Sequence, residues 1–386
     1  MPDWDTNLLM IPGPVPVHPR VFRTMSKTIY GHRTENYRDI LIETVKMLRS
    51  IMKLNSHDVY IFAGSGTLSL HAAMSNIVEP GDQVLSCING KFSERTSEIA
   101  EYFGGNTIPL LRDWGQPILP EDLKNALEEN PEVKIVTICH NDTSTGILNP
   151  LKEIGAVVKD HGALMVADGI TSVGGDDAYP ELMNTDMMIS GSQKCLGLPP
   201  GLAVLSMSPD AWDKIENRST PIQDYYTNLT IHKKKWDNDF DTPWTSATSL
   251  IQGLHESLTI MLEEGYDNRV ARHKLLAKAL RGGIRALGLE LFANENYASN
   301  TVTTVRYPAN INEGEFRKRM SDKWSVTIAP AQSPYKDKFF RIATMNICLP
   351  RDVLATLSIL EIVLNELNHP VTLGKGVGAA QKLFLE

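Results

Sequence analysis

The chain has 386 residues and carries 38 basic and 46 acidic side chains, which gives a formal net charge of −8. This length is sufficient for one large or two medium domains with a sizeable hydrophobic core. The hydrophobic share of 42% and the charged share of 22% are ordinary for a soluble globular protein. The acidic balance argues against a nucleic acid or an anionic membrane surface as the partner.

Targeting segments and cysteine spacing restrict the class of protein further. The N-terminal residues have neither a basic region nor a long apolar stretch, so we expect no signal peptide. No run of about 18 apolar residues predicts a membrane span, and we expect a cytoplasmic enzyme. Cys87, Cys139, Cys195 and Cys348 form no CxxC pair, so neither a disulfide framework nor a metal site is predicted.

In chain order, the proline-rich stretch 8–20 predicts an extended, ordered arm rather than a helix. Beyond it, strands and helices alternate. Helices are predicted over 37–48, 68–77, 93–103, 121–130 and 151–161, and strands over 58–63, 83–88, 106–111, 134–140, 164–168, 186–190 and 202–207. The later strands are continuous apolar runs, which is typical of a mostly parallel sheet buried on both faces.

The C-terminal third has a different pattern. Residues 215–245 read as a polar and aromatic loop, and a long amphipathic helix follows over 247–287, interrupted near Gly265. The remainder predicts a smaller α/β unit with strands near 301–306, 326–329 and 339–343 and a helix over 351–367. We therefore predict an N-terminal arm over 1–20, a large domain over 21–250 and a small C-terminal domain over 251–386.

Lys194 is the most unusual residue in this pattern. It follows Ser190-Gly191-Ser192-Gln193 at the end of an apolar strand and precedes a loop rich in Gly and Pro. A lysine at the end of a buried strand is costly unless it is neutral or covalently bonded. Desolvation lowers a lysine pKa, and the neutral amine can attack a carbonyl. Lys194 is thus a candidate Schiff-base lysine, and a surface lysine in a loop is the alternative.

Three other strand ends carry polar residues. Ser65, Gly66 and Thr67 form a turn that opens a helix, where free N–H groups can bind an anion such as phosphate. No lysine follows as in a P-loop, so ATP is not expected. The segment 140–146 is either a capped turn or part of a ligand site. Asp168 could form an N-cap or an ion pair, or keep a pyridine nitrogen protonated.

In open α/β sheets, ligands bind at the carboxyl ends of the strands. A phosphate on the Ser65–Thr67 turn, a ring nitrogen on Asp168 and an aldehyde carbon on Lys194 together describe one ligand, pyridoxal 5'-phosphate (PLP). Sites for this cofactor combine a lysine Schiff base with a charged partner for the pyridinium nitrogen.

Motifs along nearly the whole chain support this interpretation. They are PGPVPV (12–17), GHR (31–33), AGSGT (63–67), PGDQV (80–84), NGKFSER (89–95), HNDTSTGILNPL (140–151), ADGITSVGG (167–175), SGSQKCLGLPPGL (190–202), FRIATM (340–345) and LGKGVGAAQ (373–381). With them the sequence resembles the class V, fold-type I PLP-dependent aminotransferases, specifically the alanine–glyoxylate / serine–pyruvate group. The resemblance implies an α/β fold whose large domain holds a mostly parallel seven-stranded sheet, plus a small C-terminal α/β domain.

The resemblance also implies roles for individual residues. Lys194 and Asp168 are the implied catalytic residues, as Schiff-base lysine and proton shuttle and as pyridinium partner. Implied contacts to PLP come from Ser65, Gly66, Thr67 and Gln193 at the phosphate, Thr143 at the phenolic oxygen, Phe92 on the ring and Thr245 from a neighbouring subunit. Arg341 and Gly13 are implied to bind the substrate carboxylate. A homodimer with active sites at its interface follows from Thr245.

Two positions depart from the family pattern. Phe92 stands where a tryptophan often stacks on the cofactor ring, and Thr242 stands where a tyrosine is common. Parts of the sequence also resemble pyridoxamine–pyruvate transaminase, but the Ser65–Thr67 phosphate turn is kept here, which favours bound PLP.

The predicted activity is a ping-pong transamination from alanine or serine to glyoxylate or pyruvate. Aspartate– or ureidoglycine–glyoxylate transamination and pyridoxamine–pyruvate transamination are alternatives on the same scaffold. A PLP lyase or desulfurase using Cys348, and a non-catalytic scaffold protein, are further alternatives. Tyr30, His32, Arg33 and Gln332 could line the substrate pocket, although sequence does not locate them.

Overall fold

The computed structural model describes residues 7–386 as a sequence of strands and helices around one principal sheet. The strands are β1 (Leu8–Leu9), β2 (Asp58–Ala63), β3 (Gln83–Ile88), β4 (Asn106–Leu111), β5 (Val133–Cys139), β6 (Asn141–Asp142), β7 (Ile147–Leu148), β8 (Leu164–Asp168), β9 (Met187–Gly191), β10 (Leu202–Met207), β11 (Val302–Arg306), β12 (Val326–Thr327), β13 (Ala329–Pro330) and β14 (Phe339–Ala343).

The helices mostly follow the strands that they cover. They are α1 (Pro19–Met25), α2 (Glu35–Ile51), α3 (Gly66–Ile77), α4 (Lys91–Tyr102), α5 (Pro120–Glu129), α6 (Leu151–His161), α7 (Pro209–Glu216), α8 (Leu229–Asp239), α9 (Thr248–Glu264), α10 (Tyr266–Ala286), α11 (Glu313–Lys318), α12 (Pro350–Glu366) and α13 (Lys375–Leu385). Within the described part of the chain, none of these helices is long and apolar enough to cross a membrane.

The principal sheet has seven strands in the order β2-β10-β9-β8-β5-β3-β4. Only β10 runs antiparallel to its neighbours, β2 and β9, and the other pairs are parallel. The predicted α/β class and the mostly parallel sheet are confirmed. Every residue of β9 and β10 is buried, which explains why these strands are continuous apolar runs. The carboxyl ends of β2, β3, β5, β8 and β9 meet at one edge.

The C-terminal part contains a three-stranded antiparallel sheet in the order β11-β14-β13. Helices α9 and α10 follow one another with Gly265 between them, as the interrupted pattern predicts. Buried residues of α9, among them Leu254 and Leu258, pack into the same core as Leu41 and Leu48 of α2. The boundary at residue 251 stays a prediction, and the first six residues of the predicted arm lie outside the described residues.

Two secondary-structure predictions are wrong. The region 215–245, predicted as loop, contains α8, whose N-terminus is capped by Asn228 through a 3.1 Å bond from the Thr230 N–H. Only Leu229 and His232 of this helix are buried, so it lacks the apolar stripe that reveals a helix in sequence. The stretch predicted as an extended arm ends in α1, where Pro19 at the first helical position is compatible with a helix start.

Candidate active site

A cavity of about 260 Å³ lies at the carboxyl edge of the seven-stranded sheet. Its wall brings together seven residues that the sequence predicted for one site: Gly13, Thr67, Phe92, Thr143, Asp168, Gln193 and Lys194. They come from the N-terminal arm, two helix starts and the ends of three strands. The structure therefore brings these seven predicted residues to one cavity although they are up to 181 positions apart in the sequence.

Lys194 follows β9 and is only 9% exposed. Its Nζ donates a hydrogen bond to the Pro12 carbonyl oxygen. Burial, and secondarily the positive charge of Arg341, lowers the pKa of this amine from its ordinary 10.5 to about 8. Gly13 has a φ of +107°, and a Cβ there would lie 2.8 Å from the Lys194 Cδ, so the close approach of arm and lysine requires glycine.

Asp168 ends β8 and is 3% exposed. Its Oδ1 accepts a 2.9 Å bond from the Ile170 N–H, and the side chain forms no ion pair with any described residue. Burial raises the pKa of this carboxyl to about 6, partly offset by that backbone bond. A buried carboxyl on a cavity wall without a cationic partner is suited to hold a ligand that brings its own N–H⁺.

The start of α3 supplies an anion site on the same cavity. Ser65 is the extended N-cap residue, and its side chain makes no capping bond, so the first N–H groups of the helix lack partners from it. Thr67 lines the cavity, whereas Ser65 and Gly66 lie just before it on the chain. The helix dipole adds to the attraction for a phosphate. The Gln193 Oε1 is buried without a hydrogen-bond partner among the described residues.

Phe92 is positioned by the segment that follows β5. The Asp142 Oδ2 accepts 3.2 Å bonds from both the N–H and the hydroxyl of Ser93, which fixes the first turn of α4 against that segment. The Phe92 ring centroid lies 6.0 Å from the Lys194 Nζ. A planar ligand bonded to the lysine could therefore stack on this ring.

Arg341 on β14 connects the three-stranded sheet to the cavity. Its Nη1 donates a 2.9 Å bond to the Thr143 carbonyl and its Nε a 2.8 Å bond to the Pro330 carbonyl. Burial lowers the pKa of the guanidinium to about 10, and it remains charged at neutral pH. Arg341 does not itself line the cavity, but it lies directly behind Thr143, which does.

Several candidates are not brought to this cavity. Thr245 is exposed and lies outside it, as do Tyr30, His32 and Gln332. Arg33 donates a 2.7 Å bond to Asp241 and further bonds to the backbone of residues 242 and 243. It thus orients the loop that precedes Thr245.

Seven other residues of the cavity wall are not among the predicted site residues: Pro14, Arg95, Cys139, Asn141, Ile170, Thr171 and Pro200. Of these, Asn141 lies in the segment 140–146 that was considered as part of a ligand site. Arg95 follows Phe92 by three positions, a spacing that places both on one helix face and could have revealed it. Its guanidinium carbon lies 5.1 Å from the Phe92 ring centroid. Asn141 and Ile170 each lie two residues beyond a strand end, where only the folded loops decide which side chain lines the cavity.

These residues fit a ligand with an anionic arm near α3, a cationic ring nitrogen near Asp168 and a carbonyl near Lys194. A Cβ at Gly66 would lie 2.8 Å from Ile170 Cδ1, so this glycine lets the helix start approach the cavity wall. The fold and the cavity together define an α/β enzyme with a buried reactive amine and a place for PLP.

Comparisons with known proteins agree. The family model for Aminotransferase class-V matches residues 24–320. An uncharacterized aminotransferase of Methanocaldococcus jannaschii is 41% identical over 380 residues, covering 98% of both chains. Among solved structures, ureidoglycine–glyoxylate aminotransferase of Bacillus subtilis superposes with a TM-score of 0.95 at 33% identity, covering 99% of both chains. Pyridoxamine–pyruvate aminotransferase of Mesorhizobium loti superposes with a TM-score of 0.94 at 29% identity, covering 100% of this chain and 98% of that one.

The chain belongs to the class V aminotransferases. The predicted resemblance, the fold-type I architecture and the PLP-dependent transaminase activity are confirmed. When bound, PLP supplies an aldehyde carbon and a pyridinium ring that accepts electrons. The reaction uses an amino acid and a 2-oxo acid as substrates.

Proposed function

We propose that this enzyme transfers the amino group of a small amino acid, alanine or serine, to glyoxylate or pyruvate in a ping-pong reaction. The main support is the buried Lys194, which shares the wall of one cavity with Thr67, Thr143 and Asp168. The proposal keeps the cytoplasmic location predicted above.

In this proposal, the residues around the cavity have distinct roles. The Lys194 Nζ, as a neutral amine, would hold the cofactor through its aldehyde carbon with release of water, and would accept and return the substrate proton. Asp168 holds a proton on the ring nitrogen, and Thr143 orients the phenolic oxygen. The first turn of α3, with Ser65, Gly66, Thr67 and Gln193, holds the phosphate, and Phe92 stacks on the ring.

Arg341 is proposed to bind the substrate carboxylate near Gly13. A guanidinium pairs with a carboxylate through two parallel bonds, and the two Arg341 bonds to backbone carbonyls fix its orientation beforehand. Such preorganisation lowers the cost of substrate ordering. The same group serves both half-reactions, because the amino acid and the 2-oxo acid share the carboxylate.

Aspartate is the alternative donor that one observation favours. The Arg95 guanidinium lies on the cavity wall and makes no hydrogen bond or ion pair with a described residue. A second carboxylate on the donor could bind it. Ureidoglycine and pyridoxamine remain alternative donors on the same scaffold.

A half-reaction screen separates these donors. The cofactor-loaded enzyme is mixed with alanine, serine, aspartate, ureidoglycine or pyridoxamine, and the loss of lysine-bound cofactor absorbance is followed. We expect alanine and serine to react fastest. Arg341→Lys should raise the KM of every amino acid by about 10²-fold, because the bidentate pair is lost.

Arg306→Lys on the neighbouring strand β11 is the matched control and should leave these constants unchanged. Aspartate reacting faster than alanine, with Arg95→Ala abolishing only that reaction, would replace the proposed donor. An Arg341→Lys enzyme with wild-type KM values would remove Arg341 from the substrate site.

The desulfurase alternative finds no support at Cys348. This thiol is 6% exposed, and burial raises its pKa to about 12. A nucleophilic cysteine needs an accessible thiolate. Cys348 also borders a different groove, lined by Met10 and Arg351, rather than the Lys194 cavity.

We further propose a homodimer whose active sites are shared. Large apolar side chains are exposed at Tyr225, Tyr226 and Phe240, before Thr245 on the chain, and at Ile29 and Tyr30, just before Arg33, which bonds the Thr245 loop. Trp244 connects part of this surface, because its Nε1 donates to the Tyr226 carbonyl and its ring lies 4.7 Å from that of Tyr225. Exposed apolar clusters of this kind favour a protein interface.

Sedimentation should give a species of twice the chain mass of 42.9 kDa. Thr245→Ala should weaken PLP binding by about 10-fold if its hydroxyl bonds the phosphate of the neighbouring site. Mixing Lys194→Ala chains with Thr245→Ala chains should then restore tight PLP binding in one site of each heterodimer. A monomer at micromolar concentration, or mixing without restoration, would contradict the shared site.

A further inference from the structure

Arg269 is a buried charge that the site described so far does not use. It lies in the first turns of α10 and is 2% exposed. Its one anionic partner among residues 7–386, Glu264 at 3.1 Å, is shared with Arg272, which bonds both Glu264 oxygens. Burying a guanidinium is expensive, and an incomplete ion pair does not compensate for it. The other hydrogen-bond acceptors of Arg269 must therefore explain why its guanidinium is buried.

Those acceptors belong to the segments that carry the active-site residues. The Arg269 Nε donates a 2.8 Å bond to the Gly174 carbonyl, in the turn that follows Asp168. Its Nη2 donates a 3.0 Å bond to the carbonyl of Cys195, the residue next to Lys194. One planar group thus spans the lysine and aspartate segments.

The same Nη2 also donates a 2.9 Å bond to the Asn346 Oδ1, in the loop that follows the strand of Arg341. The Asn346 Nδ2 donates a 2.7 Å bond to the Pro16 carbonyl. Pro16 lies four residues beyond Pro12, whose carbonyl accepts from Lys194. The N-terminal arm and the β14 loop are therefore joined to the same guanidinium.

The packing leaves little freedom at this junction. A Cβ at Gly174 would lie 2.8 Å from the Cys195 oxygen. The Tyr266 hydroxyl, also in the first turn of α10, accepts from the Gly174 N–H and donates to the Asp176 carbonyl. Both backbone groups of Gly174 are thereby held by α10.

We propose that Arg269 is a positioning residue of the transamination site, which fixes Lys194, Asp168 and Arg341 relative to one another without touching the reacting molecules. This inference rests on the proposed roles of those three residues. Misplacement by about 1 Å of a reacting group costs up to about 100-fold in rate. Loss of Arg269 should thus affect chemistry more than substrate binding.

The test compares Arg269→Met with Arg272→Met. Arg272 lies on the same helix and shares Glu264, but its other bond goes to the Cys348 carbonyl, so it is the matched control for a purely structural role. We expect Arg269→Met to lower kcat by about 10- to 100-fold with little change in KM. It should also shift the pH at which the lysine-bound cofactor changes its absorbance. Arg269→Lys should recover part of both properties.

Arg272→Met should leave kcat and the absorbance titration near wild type even if both variants lower Tm alike. If Arg269→Met does not fold, Asn346→Gly is measured in its place. Glycine accepts the φ of +56° at this position. The substitution removes the side chain that joins Arg269 to the Pro16 carbonyl and to the β14 loop. Unchanged kcat and titration in every Arg269 and Asn346 variant would overturn the inference. A wild-type protein without lysine-bound absorbance would instead overturn the proposed function, and the inference with it.

Discussion

Replacing Lys194 with alanine should remove the absorbance of lysine-bound cofactor and lower kcat by about 10⁴-fold or more. The lysine supplies two functions in the proposal: the amine that bonds the cofactor, and the base that moves the substrate proton. Few groups near the cavity can substitute, because the arm residues Pro12 and Gly13 pack directly against this side chain. PLP should still bind, held by α3 and Asp168, and a spectrum of free aldehyde would report it.

Lys91→Ala is the matched control, because Lys91 starts α4 next to Phe92 and pairs with Glu94. It should leave the absorbance and the turnover unchanged. A small amine such as methylamine should partly restore turnover to Lys194→Ala, since it can carry the proton in place of the side chain. Wild-type absorbance and turnover in Lys194→Ala would overturn the assignment.

The lowered pKa of Lys194 adds a pH dependence to the same prediction. The neutral amine is the nucleophile, and it predominates above the pKa of about 8 rather than above 10.5. In the cofactor-free enzyme, the rate of covalent PLP attachment should rise with pH and level off above about pH 8. A rate that keeps rising to pH 10 would mean that burial does not neutralise this amine.

The strands that carry the site were predictable because they are buried on both faces. Strand β8 ends at Asp168, as predicted, and β9 ends three residues before Lys194. Continuous apolar runs identify such strands, and the polar residue that ends each run marks the functional edge. Helix α8 was not predicted, because it buries only two residues and so has no apolar run.

Contacts across the fold could not be predicted from spacing. The guanidinium of Arg341 bonds the Thr143 carbonyl from 198 positions away, and the resemblance suggested a role for it without suggesting this bond. Arg269 carries no motif, and only the folded chain brings its three neutral acceptors together. The proposed phosphate contact of Thr245 cannot be observed in a single chain, because its partner belongs to a second copy of the chain.

Replacing Asp168 with asparagine should lower kcat by about 10²- to 10³-fold, comparable to losing a preorganised charge partner in other active sites. Asparagine keeps the shape and can still accept the Ile170 N–H bond. It cannot stabilise a positive ring nitrogen, so the ring loses most of its capacity to accept electrons. PLP affinity should fall less than kcat, because the phosphate and Lys194 contacts remain.

Asp176→Asn is the matched control for this substitution. Asp176 is equally buried, and burial also raises its pKa, but it bonds Asn300 and lies outside the cavity wall.

The pKa of about 6 for Asp168 without a bound cation predicts the direction of a pH dependence. Below pH 6 the Asp168 carboxyl of the cofactor-free chain is protonated and neutral. PLP binding to wild type should therefore weaken below pH 6, whereas Asp168→Asn should lose that dependence. An Asp168→Asn enzyme with wild-type kcat would exclude the carboxylate as the partner of the ring nitrogen, because burial alone would then account for its shifted pKa.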